Sequence, residues 1–179
     1  MPIIQPITDK LARAQKEFLS AADTVPAEQW KVRPEESRWS AGELVGHLIT
    51  VERAILRSAD KLLKKPPKSR SFLKRFHLPM ALAEYRIIRF KTPIPLDPEL
   101  VSEKENMLAQ LREVRERTLA FVEETRERDL SKYTMPHPFL GTLNAYEWFQ
   151  LIVSHEVRHT KQMREIADSL PKTVTSLQK

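Results

Sequence analysis

Four stretches of the chain place an apolar residue every third or fourth position, which is the spacing of one face of an α-helix. The first, over residues 5–23, aligns Ile7, Leu11, Ala14, Phe18 and Ala22; the second, over 41–64, aligns Leu44, Leu48, Val51, Ile55 and Leu62. Ser40 with Glu43 three residues on has the pattern of a capping box, so the second helix is expected to start there. The third is expected to open at Asp97-Pro98-Glu99, where an acceptor cap precedes a proline tolerated in the first turn and an acid at the positive helix end. It continues through Leu100, Met107, Leu108, Leu111, Val114, Leu119 and Val122. The fourth opens at Asn144-Ala145-Tyr146-Glu147, again a cap followed by an acid, and runs to about Leu170 before Pro171.

Between these stretches, residues 24–39 and 128–143 read as short links, the second containing Pro136, Pro138 and Gly141. Residues 65–96 read as a long proline-bearing crossover with a short helix expected over 80–90. The expectation is an all-α fold: one domain over residues 1–179, a four-helix bundle with a long crossover between helices 2 and 3. Three glycines and 7% aromatic residues argue against a many-turned β architecture. A hydrophobic share of 41% excludes a disordered chain. The first residues lack the basic and apolar regions of a signal peptide, and no apolar run is long enough to span a bilayer. A soluble cytoplasmic protein is expected. The sequence has no cysteine, so any metal would have to use nitrogen and oxygen ligands.

His155 and His159 stand four apart in the fourth helical stretch, which puts their Cβ atoms roughly 5–6 Å apart on one face. Two imidazoles so placed can converge on one ion; the competing reading is two ordinary histidines sharing a face. The string His155-Glu156-Val157-Arg158-His159 also has the zinc-peptidase form, in which the glutamate activates a water. Against a peptidase, no histidine follows His159, the only later acids are Glu165 and Asp168, and no strand stands out that would hold an extended peptide. A better third ligand lies upstream. His47 falls on or beside the apolar stripe of the second helix, and a lone histidine there is usually a satisfied core residue. A facing helix with a histidine pair lacking its third partner favours the ligand reading. Three neutral nitrogens leave open positions for water or substrate, whereas burying them without a metal would strand polar atoms at about 1–3 kcal/mol each.

The segment from Arg38-Trp39-Ser40-Ala41-Gly42-Glu43 to His47-Leu48 resembles the first motif of the DinB-like superfamily. The segment from His137-Pro138-Phe139-Leu140-Gly141 through Trp148 to His155-Glu156-Val157-Arg158-His159-Thr160-Lys161-Gln162 resembles its second. The likeness extends over nearly the whole chain. It implies a four-helix bundle whose three histidines, here His47, His155 and His159, bind nickel, zinc or a similar divalent ion, with iron or manganese as alternatives. It also implies an enzyme acting on a small-molecule substrate, because relatives include transferases that use low-molecular-weight thiols. Family habit further suggests a homodimer.

The expected chemistry is Lewis acidity that activates a bound water or thiol; this cysteine-free chain would have to borrow the thiol from a small cofactor. Glu156 is turned about 100° from His155 around the helix and is expected beside the site or at the surface rather than as a base. Glu52 is expected either to orient a ligand or to join an ion pair. His137 is expected either to line the mouth of the site or to be a solvated loop residue, and His77 to lie in the crossover. Two other classes of function compete. The net charge of +6 is concentrated in residues 61–91, which hold ten bases, among them Lys64 and Lys65, against Glu84 alone, with Phe72, Phe76 and Tyr85 interleaved. Such a segment could attract phosphate backbones or an anionic cofactor, although a solvated face is the plainer reading and makes nucleic acid an unlikely partner. A metal-binding bundle associated with stress and without turnover would need the same three histidines.

Overall fold

The structure is a computed structural model and describes residues 4–67, 101–138 and 140–171. Four long helices dominate it: α1 (Ile4–Asp23), α2 (Ala41–Leu63), α3 (Lys104–Glu124) and α4 (Ala145–Ser169). The stripe of α1 is buried as its period requires, with Ile7, Leu11, Ala14, Phe18 and Ala22 all in the core. In α2 and α4 the caps fix the entry of the chain. Ser40 and Asn144 each accept the backbone N–H of the residue three positions on, and Glu43 and Glu147 reach back to the cap N–H. Glu43 also takes the guanidinium of Arg33, with Arg33 Nε at 2.9 Å from Oε2. Burial pushes this carboxyl up, but Arg33 and Ser40 more than offset it and hold it below its ordinary value.

The main helix contacts are α1 with α4 and α3, and α2 with α3 and α4. The consecutive helices α1 and α2 therefore sit at diagonal corners, connected by residues 24–40, which include a 3₁₀ turn at Ala27–Gln29. Where the start of α2 crosses this link, Gly42 donates its N–H to the Trp30 carbonyl at 2.9 Å. A Cβ at position 42 would lie 2.6 Å from Val101 Cγ1 and 2.9 Å from Trp30 Nε1, so glycine leaves the room that these two side chains fill.

Two expectations are corrected. The helix containing Met107 begins at Lys104, not at Asp97; residues 101–103 are not helical, and Glu103 caps with extended backbone. Val101 is drawn instead against the core beside Gly42, and Glu103 accepts Lys31 Nζ at 2.6 Å. Asp97, Pro98 and the helix expected over 80–90 lie outside the described residues, as does most of the basic segment 61–91, with His77. The link 128–143, for its part, holds a short 3₁₀ turn and then an antiparallel hairpin, β1 (Thr134–His137) and β2 (Gly141–Asn144), paired from Thr134 with Asn144 to His137 with Gly141. Gly141 has φ 82°, a left-handed turn position that favours glycine. Leu140, Leu143 and Leu151 pack together beside Trp148 and seat the hairpin on α4. Among the described residues no helix is long and apolar enough to cross a membrane.

The core is divided in two. One apolar cluster gathers Phe18, Leu44, Leu48, Leu111 and Met163; the other gathers Leu11, Ile55, Val122 and Phe149. At the waist between them lies a layer of buried polar side chains.

Candidate metal centre

Each histidine of interest is placed by the periodicity of its helix. His47 lies in the second turn of α2 and is buried among Leu44, Val45 and Leu48. His159 is buried on α4, and His155, one turn earlier, is only partly exposed. The three rings turn their Nε2 atoms toward one another: His155 Nε2 is 3.1 Å from His47 Nε2 and 3.1 Å from His159 Nε2. One ligand atom from each residue lies within 4.8 Å of the others. Zinc–imidazole bonds of about 2.0–2.1 Å meeting at angles between octahedral and tetrahedral would hold nitrogens roughly 2.9–3.4 Å apart; both separations from His155 fall in that range, and the three residues could hold a metal ion.

The surroundings favour the unprotonated form that a metal needs. Burial lowers His47 to about 4. His155 is held well below its ordinary value by burial first, then by the charges that His159, His47, Arg158 and His137 would carry. Gln162 Oε1 lies 2.9 Å from His159 Nδ1; when that nitrogen is the donor, the Nε2 lone pair is left free to coordinate. The indole of Trp39 stacks near His159, with centroids 6.3 Å apart, and lies 5.0 Å from the His47 ring, so it closes one side of the cluster.

Beside the histidines, in the waist, lies a charge triad that the sequence reading missed. Arg115 of α3 is 1% exposed. It grips Glu52 of α2 through two hydrogen bonds, Nε to Oε1 at 2.8 Å and Nη2 to Oε2 at 2.9 Å. The same Nη2 donates to Glu156 of α4 at 2.9 Å, and Nη1 donates to the Leu11 carbonyl of α1. One guanidinium thus ties all four helices together. The reading of Glu156 as a possible surface residue is corrected, since its carboxylate is 1% exposed and engaged by Arg115. Its helical phase turns it inward toward Arg115 of α3. For Glu52 the ion-pair reading holds. The signal that could have revealed Arg115 is its place four residues after Leu111 on the buried stripe of α3, where a charge demands a partner.

His137 closes β1 and is half-buried rather than a solvated loop residue. Its ring lies 5.1 Å from that of Trp148, and its Nδ1 accepts the Leu140 N–H at 3.1 Å, which puts the proton of the neutral ring on Nε2. It is near enough to add to the field at His155 but is not one of the three convergent donors.

The buried groups give the metal-free protein a two-sided pH dependence. Unfolded, a histidine takes a proton near 6.5, but folded His47 takes one only near 4, so stability falls as pH drops between those values. Glu156 acts in the opposite direction. Burial raises it to about 7 against the pull of Arg115, so the folded chain keeps a proton that the unfolded chain releases near 4.5, and that contribution is lost as pH rises through about 7. Each group contributes a slope of about 1.4 kcal/mol per pH unit within its window. Denaturant titrations of apoprotein across this range should show Glu156→Gln steepening the acid-side loss of stability. An unchanged slope would contradict the burial described here.

The chain is a helical bundle in which three inward imidazoles, from two helices, could hold a metal ion. A family profile for the DinB superfamily matches residues 10–163, and the chain belongs to that superfamily. The chain is 29% identical over 145 residues to the uncharacterized protein YuaE of Bacillus subtilis, covering 80% of this chain and 86% of that protein. Its fold is similar to that of YfiT from Bacillus subtilis, with a TM-score of 0.64, 15% identity, and 92% of this chain and 86% of that one covered. YfiT is described as a probable metal-dependent hydrolase with an unusual four-helix bundle topology.

Proposed function

We propose that the protein is a metal-dependent enzyme in which His47, His155 and His159 hold one divalent ion, zinc or nickel, and that it acts on a small electrophilic substrate. The observation that carries this reading is the convergence of three Nε2 atoms, drawn from two helices, with that of His155 3.1 Å from each of the other two, in a setting that disfavours protonation of His47 and His155. The description of YfiT as a metal-dependent hydrolase supports hydrolysis as the reaction type. When bound, the ion would supply Lewis acidity, lowering the pKa of a water, or of a small-molecule thiol taken up in its place, into the neutral range.

The protein's own part is to bind, orient and shield. Gln162 fixes the His159 ring, and Trp39 limits water on one side of the cluster. Glu156 is held by Arg115 in the interior and does not serve as the base of a peptidase.

Metal analysis of protein purified without an affinity tag or chelator should find close to one zinc or nickel per chain. The loaded protein should then be screened against small esters, amides and electrophiles, each with and without low-molecular-weight thiols. Turnover that chelation abolishes and zinc or nickel restores is the expected result. Protein that takes up neither ion would sink the reading.

A further inference from the structure

His155 and the charge triad line one small recess. Its volume is about 10 Å³, its polar wall formed by Glu52, Arg115, Glu156 and His155 and its apolar wall by Leu48, Val51 and Ile152. That volume is on the order of one water molecule, and the polar wall offers the partners such a water needs. Every member of the triad is at most 3% exposed.

We propose that Glu52, Arg115 and Glu156 form a positioning network for the metal centre, acting on His155 across the small recess they line together. The inference rests on the reading of His47, His155 and His159 as the metal site. The two α4 histidines then have different outer partners: His159 is steadied by the neutral Gln162, His155 by a charged cluster reached across the recess. Outer partners of this kind orient the ring and make its nitrogen a stronger donor. Arg115 sets the geometry, because its bonds to both carboxylates keep Glu156 of α4 and Glu52 of α2 on the wall of the recess. Apolar groups of similar volume would hold a bundle waist as well or better, so folding alone does not call for these charges.

Cobalt(II) alone serves as the probe, titrated into the full-length protein against a chromophoric chelator, with the visible absorption of the bound ion recorded. Glu156→Gln keeps an acceptor for Arg115 while removing a charge. It is expected to weaken cobalt affinity on the order of 10-fold and to shift the visible bands; adding Glu52→Gln should bring the loss nearer 100-fold. A triple variant, Glu52→Leu with Arg115→Met and Glu156→Leu, removes all the charge while filling the space, and should show the same weakening with its helical content intact. Wild-type affinity and spectrum in the triple variant would overturn the network while leaving the histidine site standing. Failure of the wild-type protein to bind cobalt would overturn the site itself, and the network with it.

Discussion

His155→Ala is expected to abolish the stabilisation that zinc gives the folded protein. A ligand that binds only the native state stabilises it by about 4 kcal/mol at a thousandfold excess over its dissociation constant. For a chain of this length that corresponds to a rise in Tm of roughly 8–16 °C. His155 is the middle member of the cluster, since its Nε2 is the one placed 3.1 Å from both other donors. Removing it leaves His47 and His159 on separate helices without the atom that links them. Thermal scans of untagged protein with and without zinc should show the rise in the wild type, no rise in His155→Ala, and an undiminished rise in Lys64→Ala. Among the described residues Lys64 pairs with exposed Asp60 at the end of α2, so it reports on unspecific ion effects. Because the readout is the difference made by zinc, any change in the baseline stability of a variant cancels. A zinc-dependent rise retained in His155→Ala would remove the basis for a three-histidine centre.

What the sequence disclosed and what it withheld follow from the range of the forces involved. Helices α1, α2 and α4 were legible because their stripes and caps are local: Ile7 to Ala22, the Ser40–Glu43 box and the Asn144–Glu147 box need no distant residue to be recognised. The start of α3 was misplaced because Asp97-Pro98-Glu99 satisfies every local rule for a helix start. The described residues that follow, Val101 and Glu103, are committed to tertiary contacts with the Gly42 region and with Lys31. The hairpin escaped notice because its strands have four residues each and one contains Pro136, which tolerates an edge but weakens the strand signal. At the site, the i, i+4 spacing of His155 and His159 is visible by eye, and the position of His47 on an apolar stripe suggested the third donor. The triad was hidden because its members come from three helices and their complementarity spans up to 104 positions of sequence. A buried charge announces that a partner exists without saying which one.

The triad also sets the largest expected loss of stability. Arg115→Met should cost about 3–5 kcal/mol, because it leaves Glu52 and Glu156 facing one another in the waist with no cation between them. At this chain length the loss corresponds to a fall in Tm of roughly 6–20 °C. The sign of the pH effect distinguishes this cause from a simple packing defect. Glu156 is already raised to about 7 by burial, even with Arg115 pulling it down. Without the guanidinium Glu156 should rise further, so acidification that protonates it in the folded state should recover part of the loss. A cavity would be indifferent to pH. The triple replacement that removes the carboxylates together with the arginine should recover most of the loss even at neutral pH, because no charge is left unmatched. Denaturant unfolding of wild type, Arg115→Met and the triple variant at neutral pH and near about pH 5 makes the comparison. Equal stability of Arg115→Met and wild type at neutral pH would mean that the two carboxylates do not meet at Arg115 in the interior. The waist would then be held by its apolar neighbours alone.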